Sequence, residues 1–175
     1  ALTANTTGTQ NTAVGSAALT SNTEADNNTA MGYQALTANT TGINNVAIGA
    51  NALDACTTGN YNVGVGNNTL GVQTTAQKNT AVGTSALSDN TSGSLNTAVG
   101  AYSLDANTSA VSCTAVGFNA LTNNTTGNYN TAFGEASLLT NTSGTQNTAV
   151  GQGALYSNLT HNNNGFGYNA LLSVT

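Results

Sequence analysis

Proline and tryptophan are absent from this chain, and Lys78 is its single cation. Without Pro, no residue is barred from donating its backbone N–H, so nothing interrupts a continuous hydrogen-bonded ladder. One cation against six acids leaves a net charge of −5. No basic patch can form, which argues against nucleic acid and anionic membrane as partners. Charged residues make up 4% of 175, where roughly 25% is usual. No run of 18 apolar residues occurs, so no segment reads as inserting into a membrane. There is no initiator Met and no signal-peptide pattern, and Ala1 falls in mid-motif, so the chain reads as a mature or excised piece of something longer.

Catalytic groups are as sparse. The chain has one His, His161, and two cysteines, Cys56 and Cys113. No Gly-rich run ends in Gly-Lys-Ser/Thr, as a phosphate loop requires. The Asp-rich nonapeptide of calcium-binding β-rolls is missing. The acids show no paired-carboxylate spacing of the kind general acid–base chemistry uses. The expectation is a protein that is not an enzyme and has no cofactor and no metal site.

What is present is a repeat. The Gly of Thr-Ala-Val-Gly recurs at Gly15, Gly32, Gly49, Gly66, Gly83, Gly100, Gly117, Gly134 and Gly151, always 17 residues apart, and then at Gly167 after 16. The residue missing from that last full coil falls near His161. Biased, weakly charged sequence ordinarily reads as disorder, but disorder does not hold a register. With slots numbered 1 to 17 and the Gly last, slot 4 is Leu eleven times in eleven. Slot 13 is Asn except for Cys113, and slot 7 is Asn except for Cys56 and Gln73. Slot 8 is Thr in nine of ten coils, and slot 16 is always large and apolar, from Val14 and Met31 to Phe133 and Phe166.

Seventeen residues are too few for a helical repeat of 33 or more, and Asn, Thr and Gly are poor helix formers. They suit one turn of a parallel β-helix. The expected fold is therefore all-β: a single parallel β-solenoid (β-roll or β-helix) domain over 1–175, of about ten 17-residue coils. Identical residues then stack on themselves roughly 4.8 Å apart. Leu and Val ladders are expected inside, among them Leu19, Leu36, Leu53, Leu87, Val82, Val99, Val116 and Val150. Asn ladders are expected at turns. All six acids and Lys78 lie in slots 1, 5, 6, 9, 11 and 12, so those slots should face water.

Strand alternation adds an expectation. If slot 16 points inward, slot 15 points outward, yet slot 15 is only Ala or Gly and slot 3 only Ala, Ser or Thr in the full coils. Either another surface approaches there, or these are corners where only small side chains fit. The first alternative implies association, as a trimer or filament. No capping segment is visible, so the ends read as uncapped and prone to end-to-end stacking.

Several surface features remain. Asn5, Asn39, Asn90, Asn107, Asn124, Asn141 and Asn158 open glycosylation sequons, which a ladder of Asn before Thr also produces by chance. Outward aromatics (Tyr33, Phe118 and Tyr168 in slot 1; Tyr61 and Tyr129 in slot 12) could stack on sugars. The cysteines, in different slots about three coils apart, are too far apart for an intrachain disulfide, at roughly 14 Å along the axis. They are either buried substitutes for Asn or interchain bridges.

The recurring Asn-Thr-Ala-Val-Gly-x-x-Ala-Leu, and Val46-Ala47-Ile48-Gly49-Ala50-Asn51-Ala52 in particular, resembles the head repeats of YadA-type trimeric autotransporter adhesins. It is also similar to repeats of phage tail fibres. The resemblance covers the whole chain, although those head repeats are nearer fourteen residues and no neck, stalk or anchor is present. It implies a trimeric, extracellular β-roll that binds host or matrix surfaces. The leading expectation is a structural segment of an extracellular fibre, on a cell-surface appendage or a virion. An adhesin or receptor-binding head for glycans or host matrix is the alternative. An ice-binding solenoid, suggested by Thr ladders at slots 8 and 14, comes third.

Overall fold

The computed structural model describes residues 1–174, and among them no helix occurs. Slots 14–16 of each coil form a three-residue strand: β1 (Thr12–Val14), β2 (Thr29–Met31), β3 (Val46–Ile48), β4 (Val63–Val65), β5 (Thr80–Val82), β6 (Thr97–Val99), β7 (Thr114–Val116), β8 (Thr131–Phe133), β9 (Thr148–Val150) and, after the two-residue β10 (Ser157–Asn158), β11 (Asn164–Phe166). β1 to β9 and β11 make one ten-stranded parallel sheet in chain order. Pairing is slot on slot at every step, as in Thr80↔Thr97, Ala81↔Ala98 and Val82↔Val99. β10 pairs with β12 (Ser173–Val174) in a separate two-stranded ladder. The chain is thus a parallel β-solenoid, ten rungs joined by nine steps.

The strands are short because the corners are tight. Three non-glycine slots per coil, 2, 4 and 12, take left-handed backbone; in one coil these are Asn51 (φ 55°), Leu53 (φ 54°) and Tyr61 (φ 58°). This conformation costs an L-residue roughly 1–2 kcal/mol, so the stack must over-determine it. It does so by hydrogen bonding at those corners. Leu36 N–H donates to Ala52 O at 3.0 Å, and Tyr61 N–H to Ile43 O at 3.1 Å, each to a neighbouring coil. Slot 17 is Gly for a steric reason: a Cβ on Gly83 (φ 127°) would lie 2.6 Å from the carbonyl carbon of Gly100.

The core departs from the expected facing. Leu19, Leu36, Leu53 and Leu87 are fully buried, as the sequence implies. Val82, Val99 and Val116 are not core ladders: they stand half-buried on the outer face, and Val150 is 36% exposed. The residue that points inward is slot 15. Ala81, Ala98, Ala115 and Ala149 have no exposed surface. The reason is room. A Cβ added to Gly64 would already lie 3.3 Å from Leu53 Cδ1 and 2.8 Å from Thr69 Oγ1. Slot 4 Leu reaches across the coil to slot 15 and leaves space for no more than a methyl group. Slot 3 is likewise interior, from Ala18 to Ala154; where it is Ser103, the hydroxyl donates to Gly100 O at 2.8 Å. Small residues at slots 3 and 15 therefore line the inside, and an outer surface of small residues is corrected.

The other half of the core is amide. In slot 13, the Asn62 N–H donates to Asn45 Oδ1 at 2.9 Å and its Nδ2 to Ala76 O at 2.9 Å. In slot 7, Asn107 Nδ2 donates to Asn90 Oδ1 at 2.7 Å. Side chains here have no exposed surface. Burial of an amide is tolerated only with its partners in place, and identical neighbours above and below supply them.

Candidate functional site

The reversed facing creates the most distinctive surface of the molecule. Slots 14 and 16 project outward from the ten-stranded sheet, so its outer side carries a row of Thr or Val that ends in Asn164 and a parallel row of large apolar residues. Slot 16 reads Val14, Met31, Ile48, Val65, Val82, Val99, Val116, Phe133, Val150 and Phe166. Val14 is 53% exposed, Phe133 55% and Phe166 68%. Slot 14 contributes the half-buried Thr29, Val46, Val63, Thr80, Thr97, Thr114, Thr131 and Thr148. No charged residue occurs in either row. Slot 16's constancy in the sequence belongs to this surface, not to the interior.

Six of the seven sequon asparagines are not surface sites. Asn39, Asn90, Asn107, Asn124, Asn141 and Asn158 are fully buried. The Nδ2 atom that would carry a sugar donates inside the coil, for example from Asn90 to Gly93 O at 2.9 Å and from Asn141 to Gly144 O at 3.0 Å. Asn5, in the first coil, is exposed, but its Nδ2 makes the same bond to Gly8 O at 2.9 Å. A glycan on the buried amides would break the ladder, so glycosylation of the folded coils at these positions is corrected.

The cysteines are buried in place of ladder Asn. Cys113 Sγ lies 3.2 Å from Gly127 O, where an Asn Nδ2 would donate. Loss of water around each thiol pushes it up to about 11. Neither is placed to bridge copies of the chain.

Several of the remaining polar groups join the coils. In alternate coils the slot 11 side chain accepts the slot 11 N–H of the preceding coil. Asn60 Oδ1 accepts from Ile43 at 2.7 Å, Asn128 Oδ1 from Val111 at 2.8 Å, and Asp26 Oδ1 from Thr9 at 2.6 Å. His161 belongs to this row: its Nδ1 accepts the Thr145 N–H at 2.9 Å. The slot lost from its coil lies one corner earlier, around Leu159 and Thr160, since the 17-residue offset holds at Asn158 and is 16 at His161. Slot 8 hydroxyls point along the axis, as in Thr91 Oγ1 to Thr108 O at 2.7 Å. They are spent on carbonyls at a corner, whereas slot 14 Thr stands beside apolar slot 16. The two Thr ladders do not make one Thr-x-Thr face.

Tyr33, Phe118, Tyr168, Tyr61 and Tyr129 are all exposed. Tyr102, in slot 2, meets Phe118 edge-on with ring centroids 6.1 Å apart. The described residues form no pocket and no cluster of three metal-ligating side chains. Comparison with family models, with curated proteins and with solved structures finds no match for the chain.

Proposed function

We propose that this chain is a non-catalytic structural segment of an extracellular fibre or filament, of the kind found in surface appendages or phage tail fibres, and that it assembles with further copies of itself. The observation that carries the reading is the unshifted register: nine successive steps pair slot with slot. A stack of this kind lengthens by repetition and holds its shape over any number of coils. The interior is given over to ladders and the polar side chains to joining coils. Electron cryomicroscopy of the purified protein tests the reading. Filaments with a roughly 4.8 Å axial repeat support it, and dispersed single solenoids at every concentration count against it.

A second reading, an adhesin or receptor-binding head, draws on the exposed Tyr102–Phe118 pair, because aromatic faces stack on sugars. A glycan-array screen separates the two. Binding that is lost in Phe118→Ala favours the head, and a blank array favours the shaft.

A further inference from the structure

The slot 14/16 face asks for a cover. Monomeric soluble proteins rarely leave a continuous apolar patch of more than a few hundred Å² in water. Here ten rungs at roughly 4.8 Å make a strip roughly 43 Å long. Its slot 16 row is apolar throughout, and the slot 14 row about 7 Å away is Thr apart from Val46, Val63 and Asn164; with the breadth of their side chains the strip covers on the order of 700 Å². That approaches the ~800 Å² each partner contributes to a standard stable interface.

We infer that this face is the lateral interface between two copies of the chain, packed sheet against sheet, with the slot 16 side chains of one copy seated between those of the other. The inference rests on the self-assembling fibre reading and names the surface it uses. Three observations select a second copy over another partner. The first is area, since the strip approaches the size a stable pair needs. The second is charge. The molecule carries −5 overall, which would hold identical copies apart, yet no acid lies in slots 13 to 17 of any coil. The faces can meet without bringing like charges together, and a basic partner would find nothing here to pair with. The third is period. Ridges repeating every ~4.8 Å interdigitate only with a surface of the same spacing, which another parallel stack supplies and an ordinary globular surface does not.

Met31, the only methionine, lies on this strip and is 45% exposed in the single chain, which makes it a reporter in the unaltered protein. In the oligomeric state its oxidation by hydrogen peroxide should slow several-fold relative to the dispersed state. The companion experiment is sedimentation of Val82→Glu/Phe133→Glu beside Thr91→Glu/Thr142→Glu, a control on a different part of the coil, with circular dichroism to confirm that both fold. The strip variant should weaken association at least about tenfold, since like charges would meet across a dry surface, and the control should leave it unchanged. If the wild type assembles but Met31 oxidises equally fast in both states, or both variants still assemble, this face is not the interface and the fibre reading stands. If the wild type stays monomeric throughout, both fall.

Discussion

Asn39 donates from Nδ2 to Asn22 Oδ1 one coil away, at 3.1 Å, while its own Oδ1, buried, receives no hydrogen bond. The next residue of that row is Cys56, which has no amide to offer. One coil further on, Gln73 Nε2 is also buried without an acceptor. Cys56→Asn would donate to the first and accept from the second, as Asn22, Asn90 and Asn141 do in their coils. An unsatisfied buried group costs about 1–3 kcal/mol, so this substitution should raise stability by at least ~1 kcal/mol, read as a higher thermal midpoint.

The facing of slots 15 and 16 can be tested in a single coil. Leu87→Ala empties the interior and should cost about 3 kcal/mol. Val82→Ala, on the outer face, should cost less than about 1 kcal/mol in the unassembled chain. Ala81→Val, which would be conservative on a surface, should cost about 1–3 kcal/mol by overpacking. Chemical denaturation of the three variants ranks them. A Val82→Ala loss matching that of Leu87→Ala would return Val to the core.

Asp26 and Asp54 should shift stability in opposite directions with pH. The N–H of Thr9, then its hydroxyl, hold the Asp26 carboxyl below its ordinary 3.8. Its contribution is therefore present above the unfolded value and lost as pH falls through the lower folded one. Asp54 is pushed above 3.8 by burial, and its Oδ1 has no partner. Its cost is absent below the unfolded value and builds as pH rises through the higher folded one. At neutral pH Asp26→Ala should destabilise and Asp54→Asn stabilise, and both differences should vanish in unfolding curves measured well below pH 3.8.

Leu95 holds φ 65° while 56% exposed. It bears the steric cost of a left-handed corner without the burial that slot 4 Leu receives in return. Asn tolerates that conformation better, and stands at the same slot as Asn27 and Asn44. Leu95→Asn should stabilise by ~1 kcal/mol, whereas Leu95→Val should destabilise.

Thiol chemistry checks the interior. With both cysteines raised to about 11 and buried, a disulfide reagent at pH 8 should find neither until the protein is unfolded. Rapid labelling of the native chain, or a disulfide-linked dimer on a non-reducing gel, would contradict the placement of Cys56 and Cys113.

The period, the strand class and the Leu ladder were legible because each follows from identity at fixed spacing, and stacking rewards identity. The solvent-facing slots of Glu24, Lys78, Asp89 and Glu135 were legible for the same reason, whereas Asp54 lies partly buried with an unpartnered Oδ1 and Asp26 joins two coils. The facing of Val82 was not legible. Alternation along a strand gives only a relative sense, so Ala81 and Val82 must oppose each other, but which points inward depends on the corners. Those corners turn at left-handed Leu87 and Lys78, and a left-handed Leu is not something propensity anticipates. Size misled as well: Val reads as core material, yet the coil is so narrow that Leu and Asn fill it. The sequons at Asn90 and Asn141 showed the complementary ambiguity, because a short pattern cannot separate an exposed amide from a ladder amide.

The hydrogen bonds that join one coil to the next run along the stacking direction, so tension on such a rod loads whole rungs together. A stretched segment would yield by peeling coils one at a time. Each 17-residue coil set free would pay out about 50–60 Å of slack. Re-forming its rung would need only the neighbour still in place as template. A shaft built this way would absorb a pull by lengthening in equal steps, and then recoil.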